Sequence, residues 1–217
     1  NCLIVAAISL EISKFIQHCR TTDKFHHIDL QLDFLITGVG MLNTSYALMK
    51  HLQVKQPHVI VNAGIAGSFS KKHIPGTVVV VKDETMADLG VMEKDGYKDV
   101  FDLKLQASSQ FPFDKKKLTN TYSGFLNRTF LPKVKSVSVN QITSSKKTAE
   151  LYSNKYKAEI ENMEGAAVHY ICLREKIPFV QIRSISNYVG DRNKKNWKIN
   201  DAVSNLNREL IRLVESL

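Results

Sequence analysis

Glu164 and Asn187 are the residues whose types and settings carry the most chemistry. Glu164 lies in Glu161-Asn162-Met163-Glu164-Gly165-Ala166-Ala167, where a buried strand turns into a helix that opens on three small residues. Asn187 closes Arg183-Ser184-Ile185-Ser186-Asn187, at the C-terminal end of another apolar run. A carboxylate accepts from two vicinal hydroxyls, and its charge strengthens both bonds. A primary amide donates and accepts from one planar group, which matches an N7/O6 base edge. Together they suit a nucleoside, with Met163 beside the diol grip and room for a sugar against Gly165. Each also has a plainer use: Glu164 as a helix-terminal carboxylate favoured by the dipole, Asn187 as a turn or capping residue.

Other strand ends add compatible groups. Glu11 closes the first apolar run. In a partly dry cleft its pKa would rise and it could act as a base toward water; otherwise it is a solvated first-turn helix residue. Asn62-Ala63-Gly64-Ile65-Ala66-Gly67-Ser68 follows the third run. Its glycines let backbone approach a ligand and expose amide N–H groups, or simply form a tight turn. It is neither a Walker loop nor G-x-G-x-x-G, so a nucleotide phosphate is not implied. Thr37-Gly38-Val39-Gly40 and the acids Asp83, Glu84 and Asp88 follow two further runs. His26, His27 and His169 lack metal-like spacing and read as ordinary histidines, so no metal is expected.

The elements that must position these groups follow from hydrophobic pattern. Strand-like runs rich in Val, Ile and Phe occur at 3–8, 34–39, 58–62, 77–81, 137–142 and 179–184. Several are continuous rather than alternating, as in strands buried on both faces of a parallel-rich sheet. Helical periodicity lies between them. Residues 42–52 carry Leu42, Tyr46, Met49 and Leu52 on one face, and 165–175 form a second helix. Near the end, Ile199, Val203, Leu206, Leu210, Leu213 and Leu217 recur at three to four residues, with Asn200 a candidate cap. Alternating strands and helices imply an α/β sandwich, with ligands at the C-terminal strand ends. Residues 90–135 are less regular, either an insertion over the site or a surface excursion.

The bounds are set by composition. At 217 residues and 43% hydrophobic, residues 1–217 can form one domain around one core. The 30 basic against 21 acidic residues leave a net charge of +9, but the lysines are scattered and no nucleic-acid motif occurs. Three cysteines without C-x-x-C spacing suit reduced thiols and a cytoplasmic protein. The first apolar run is short, lacks a basic leader and is ended by Glu11, so it reads as a strand rather than a signal peptide. No apolar run approaches the roughly 20 residues that span a membrane.

Over nearly its whole length the chain resembles the nucleoside phosphorylase and nucleosidase superfamily. Met163-Glu164-Gly165-Ala166-Ala167 looks like its ribose-binding motif, and Asn62 to Gly67 like its Gly-rich sugar loop. The resemblance implies a three-layer sandwich with a mixed sheet flanked by helices, a homo-oligomer (a dimer or higher) and no cofactor. It is nearest to the nucleosidase branch, where Glu11 falls on the glutamate that orients the attacking water. Phosphorylases carry arginines at the phosphate site. Here no arginine follows the first strand until Arg20 and none lies in the Gly-rich loops, so hydrolysis is expected.

The adenine-type nucleosidases have an aspartate where this chain has Asn187, and an amide suits a 6-oxopurine. Ala87-Asp88-Leu89-Gly90-Val91, the run Ser186 to Asn193 and Trp197-Lys198-Ile199 resemble the futalosine hydrolase family. That likeness implies hydrolysis of a hypoxanthine nucleoside in menaquinone biosynthesis. Catalytic residues would be Glu11 and Asn187. Ile65, Ala66, Gly67, Met163 and Glu164 would hold the substrate, with Arg192 either facing its distal carboxylate or simply facing solvent. An adenine-type nucleosidase, a purine phosphorylase and a non-catalytic nucleoside-binding protein remain alternatives.

Overall fold

The computed structural model describes residues 1–21 and 31–216; His26, His27 and Leu217 lie outside them. β1 (Cys2–Ala6) pairs in parallel with β2 (Leu32–Ile36) on one side and β3 (Val59–Ser68) on the other. Its alternate side chains enter two cores, as a period of two dictates. Cys2, Ile4 and Ala6 pack with Ile12 and Phe15 of α1 (Ser9–Thr21) and with Leu206 and Leu210 of α6 (Ile199–Glu215). Leu3 and Val5 pack on the opposite face with Leu48 and Leu52 of α2 (Met41–Val54) and with Val168 and Cys172 of α5 (Gly165–Arg174). The result is the three-layer α/β sandwich with a central mixed sheet that the sequence leads one to expect.

The mixture arises beyond β3. β10 (Phe179–Tyr188) runs parallel to β3, and β4 (Val78–Met86) antiparallel to β10. β8 (Lys133–Ser138) is parallel to β4. β9 (Ile160–Asn162) is parallel to β8 and antiparallel to the end of β3. Five strands therefore close into a ring around Ala66, Val79, Val81, Val134, Ile160 and Ile185. The closure fixes which face each residue of β3, β9 and β10 presents.

Several local expectations are corrected. Gly64-Ile65-Ala66-Gly67 is not a turn after a strand; it is the second half of β3, paired with β10. The buried face of α2 is Thr44, Leu48 and Leu52, while Leu42 is 82% and Tyr46 70% exposed. Apolar spacing alone cannot say which stripe meets the sheet. Asn200 lies inside α6, whose N-cap is Lys198.

Residues 90–135 hold the hairpin β5 (Gly90–Glu93) and β6 (Gly96–Asp99), the short β7 (Leu118–Thr119) against β4, and α3 (Ser123–Arg128). Phe101, Phe113 and Leu118 anchor this stretch in the same core as α5. α4 (Lys146–Tyr156) begins with Ser145 accepting from the backbone N–H of Thr148. Among the described residues, no helix is long and apolar enough to cross a membrane.

Candidate active site

A cavity of about 210 Å³ opens at the C-terminal ends of the strands. Glu11, Ile65, Ala66, Gly67, Met163, Glu164, Asn187 and Arg192 all line it, so the residues expected to act on or hold the substrate are brought together. No residue of 90–135 lines it. The acids Asp83, Glu84 and Asp88 are also outside it. Asp83 accepts from Thr119, and Asp88 from the backbone N–H groups of Asn140 and Gln141.

Glu11 sits in the first turn of α1 and is 5% exposed, not solvated. Its Oε2 accepts from the N–H groups of Ala7 and Ile8 (3.2 and 3.3 Å), which precede the helix. Its Oε1 accepts from Ile65 N–H at 2.9 Å, on β3. Burial pushes its pKa up, and the nearby Arg183 guanidinium opposes that rise. Glu164 is the N-cap residue of α5, yet its carboxylate makes no cap. It turns away, accepting from Gly40 N–H at 3.1 Å and lying 3.4 Å from Arg183 Nη1. Gly40 has φ 92°, a left-handed conformation that glycine adopts without strain.

Arg183 is the residue that sequence reasoning missed. It lies within β10, 1% exposed, and its Nη2 donates to Asn62 Oδ1 at 2.8 Å and Asn162 Oδ1 at 3.3 Å. The absence of arginines from the loop sequences is thus no absence from the site: the fold lays this guanidinium across Gly64. Its charge is engaged by Glu164 and the two asparagines and does not line the cavity. An arginine inside an apolar strand was the available signal, because such a charge needs buried partners.

Asn187 owes its position to a β-bulge. Ile185 pairs with Ala66 and Asn187 with Gly67, leaving Ser186 as the extra residue. Without it, strand alternation would turn Asn187 toward the ring interior, where Ile185 points. The amide is also oriented. Its Nδ2 donates to Tyr188 O at 2.9 Å, and its Oδ1 lies 2.7 Å from the Ser186 hydroxyl. A carbonyl can only accept, which identifies the NH2 end and leaves its second hydrogen free. Arg192 is exposed at the rim, with its guanidinium 5.3 Å from the Trp197 ring centre.

Beneath the cavity, Glu84 is fully buried and accepts from Ser138 Oγ (3.2 Å), Asn162 Nδ2 (3.0 Å) and Gln181 Nε2 (3.1 Å). Asn162 Oδ1 in turn accepts from the backbone N–H of Glu164 at 2.9 Å and of Gly165 at 2.6 Å. This network sets the start of α5, and so the place of Glu164. Burial raises the Glu84 pKa to about 7.

Two buried carboxylates, an amide and a glycine-floored cavity at the strand ends match the pattern of one family, whose model, described as the phosphorylase superfamily, matches residues 4–217. The chain belongs to this superfamily. Within it, the chain is 29% identical over 182 residues to a futalosine hydrolase of Thermus thermophilus, covering 83% of this chain and 80% of that protein. It is 28% identical over 185 residues to a 5'-methylthioadenosine/S-adenosylhomocysteine nucleosidase of Bacillus velezensis, covering 82% and 76%. In fold it is similar to the futalosine hydrolase of Helicobacter pylori, with TM-score 0.76 and 15% identity over 100% of this chain and 97% of that one. It is equally similar to the nucleosidase of the same organism bound to butyl-thio-DADMe-Immucillin-A, with TM-score 0.76 and 16% identity over 100% and 98%.

Proposed function

We propose that this chain hydrolyses the N-glycosidic bond of futalosine, a 6-oxopurine ribonucleoside, and releases hypoxanthine. The carrying observation is that Glu11 and Glu164, both under the charge of Arg183, line one cavity together with Asn187. Futalosine hydrolases among the relatives support the substrate.

Ribose binds with its hydroxyls on Glu164 and its face along Ile65, Ala66, Gly67 and Met163. Arg183 holds Glu164 in place, so the diol meets a fixed acceptor. Water near the anomeric carbon is oriented by Glu11, whose raised pKa makes it the better base. The C–N bond breaks through an oxocarbenium-like state, and its electron pair passes to the purine. Water adds to the sugar carbon and gives its proton to Glu11. The free hydrogen of Asn187 Nδ2 stabilises charge on the departing base, which takes its proton from solvent. Enclosure strengthens each contact. Arg192 meets the distal carboxylate at the rim. Water is favoured over phosphate because the buried guanidinium is already engaged.

Residues 1–217 act as one unit in the cytoplasm, in menaquinone biosynthesis, without a cofactor. The exposed apolar face of α2, with Leu42 and Tyr46, supports a homo-oligomer, which sedimentation velocity would detect. The deciding assay is base release from futalosine, aminofutalosine, inosine and methylthioadenosine without phosphate. Futalosine should be preferred. A large preference for methylthioadenosine would instead establish the adenine-type reading that the second group of relatives favours. Strict dependence on phosphate would reveal a phosphorylase.

A further inference from the structure

We propose that Glu161 determines base specificity: its carboxylate accepts the N1–H of a 6-oxopurine from the side of the cavity opposite Asn187. This rests on the reading of the site as a 6-oxopurine nucleoside hydrolase and adds the residue that tells a 6-oxo from a 6-amino base.

The sheet register brings the two together. Gly67 pairs with Asn187 of β10 on one side and with Glu161 of β9 on the other. The neighbouring Ala66, Ile160 and Ile185 point into the closed ring. By alternation, and with the bulge at Ser186, Gly67, Glu161 and Asn187 face outward, and all three line the cavity. Two strand spacings separate the outer pair by roughly 10 Å. Those are backbone positions; the base would lie in the cavity on the outer side of Val189, which covers Gly67, with a hydrogen bond of about 3 Å at each edge. The glycine is dictated by packing: a Cβ on Gly67 would lie 2.9 Å from Val189 Cγ2, and the Val189 side chain, which covers this face of Gly67, itself lines the cavity.

Glu161 is otherwise hard to explain. It is 6% exposed, and its hydrogen bonds both come from Thr143, from N–H at 3.1 Å and Oγ1 at 2.5 Å. Among the described residues it makes no ion pair, and the charge that acts on it, Asp88, is of like sign. A buried carboxylate without a cation is costly, and an apolar residue would serve packing better. The two bonds from Thr143 fix the group and leave a lone pair on each oxygen.

The complement is specific. A 6-oxopurine offers acceptors at N7 and O6 to the Asn187 NH2 group and a donor at N1 to Glu161. A 6-aminopurine has an unprotonated, accepting N1, which would face the carboxylate lone pairs.

Two measurements test this. In wild-type protein, hypoxanthine and 1-methylhypoxanthine are compared as binding competitors; loss of the N1–H should weaken binding on the order of 10²-fold. In Glu161→Gln, whose amide can donate to an unprotonated N1, the kcat/KM ratio of futalosine to aminofutalosine should fall on the order of 10²-fold. A residue that only holds the fold would lower both substrates together. Equal binding of the two bases, or an unchanged ratio in a folded variant, overturns the role of Glu161 while leaving the hydrolase reading intact. Wild-type preference for the 6-amino substrates would overturn both. If Glu161→Gln does not fold, the wild-type comparison decides.

Discussion

The Arg183 guanidinium lies directly over Gly64. A Cβ on Gly64 would sit 2.1 Å from Arg183 Nη1 and 3.0 Å from Glu11 Oε1. β3 and β10 run side by side here, with Arg183 paired to Gly64. The glycine is therefore the space through which a buried cation reaches two carboxylates on different elements.

Gly64→Ala should displace that cation. Overpacking of this kind costs about 1–3 kcal/mol, read as a lower Tm. The larger effect should be on activity, a loss on the order of 10²-fold in kcat/KM, because misplacing catalytic groups is expensive. Normal turnover would mean that Arg183 does not position Glu11 and Glu164.

Glu11→Gln should lower kcat on the order of 10²-fold, the usual scale for a general base. The pH profile gives a second readout. The base must be ionised, and burial raises its pKa above the ordinary carboxylate value of 4.5. Rate should therefore fall as pH drops through that raised value, and the residual rate of Glu11→Gln should lose this limb. Near-normal turnover would reject the assignment.

Glu164→Gln and Arg183→Met should separate binding from folding. Glu164→Gln weakens the diol contact and should lower kcat/KM at least about tenfold, by one charged hydrogen bond. Arg183→Met leaves buried Glu164 and Glu11 without their cation and should destabilise the fold by about 3–5 kcal/mol. Denaturant unfolding and steady-state kinetics on the same preparations distinguish the two outcomes.

Glu84 should make stability depend on pH in an unusual direction for a carboxyl group. Burial raises its pKa from 4.5 to about 7, against the opposing charge of Arg183. The folded state thus holds the proton more tightly than the unfolded chain. That stabilisation is full below 4.5 and is lost as pH rises through about 7. Unfolding free energy should decline by up to about 3 kcal/mol across this window. In Glu84→Gln the decline should shrink to the part contributed by Glu11 and Glu161, whose pKa values burial also raises; an unchanged decline would assign it elsewhere.

Much of the site was legible because its residues terminate recognisable apolar runs. Glu11 and Asn187 each follow an apolar run and Glu164 opens a helix of small residues, and runs buried on both faces end at one edge of a sheet. The helix-terminal use of Glu164 was ruled out only in the structure, where the carboxylate turns to Gly40 and Arg183 instead of capping α5. For Glu11 the solvated alternative fails, because the carboxylate is buried: one oxygen meets the N–H groups before its helix, the other crosses to β3.

By itself, the sequence determined the sandwich of strands and helices, the main apolar faces of β1 and α6, and the residue types gathered at the strand ends. These depend on local period, which a short window contains. Tertiary contacts were needed to establish that Gly64 to Gly67 is strand rather than turn, and that five strands close into a ring. They also decided that a bulge turns Asn187 outward, that Arg183 bridges to Glu164, and that Glu161 shares a row with Gly67. Those relations depend on register between strands distant in sequence, and register is set by closure and packing of the whole sheet rather than by any one segment.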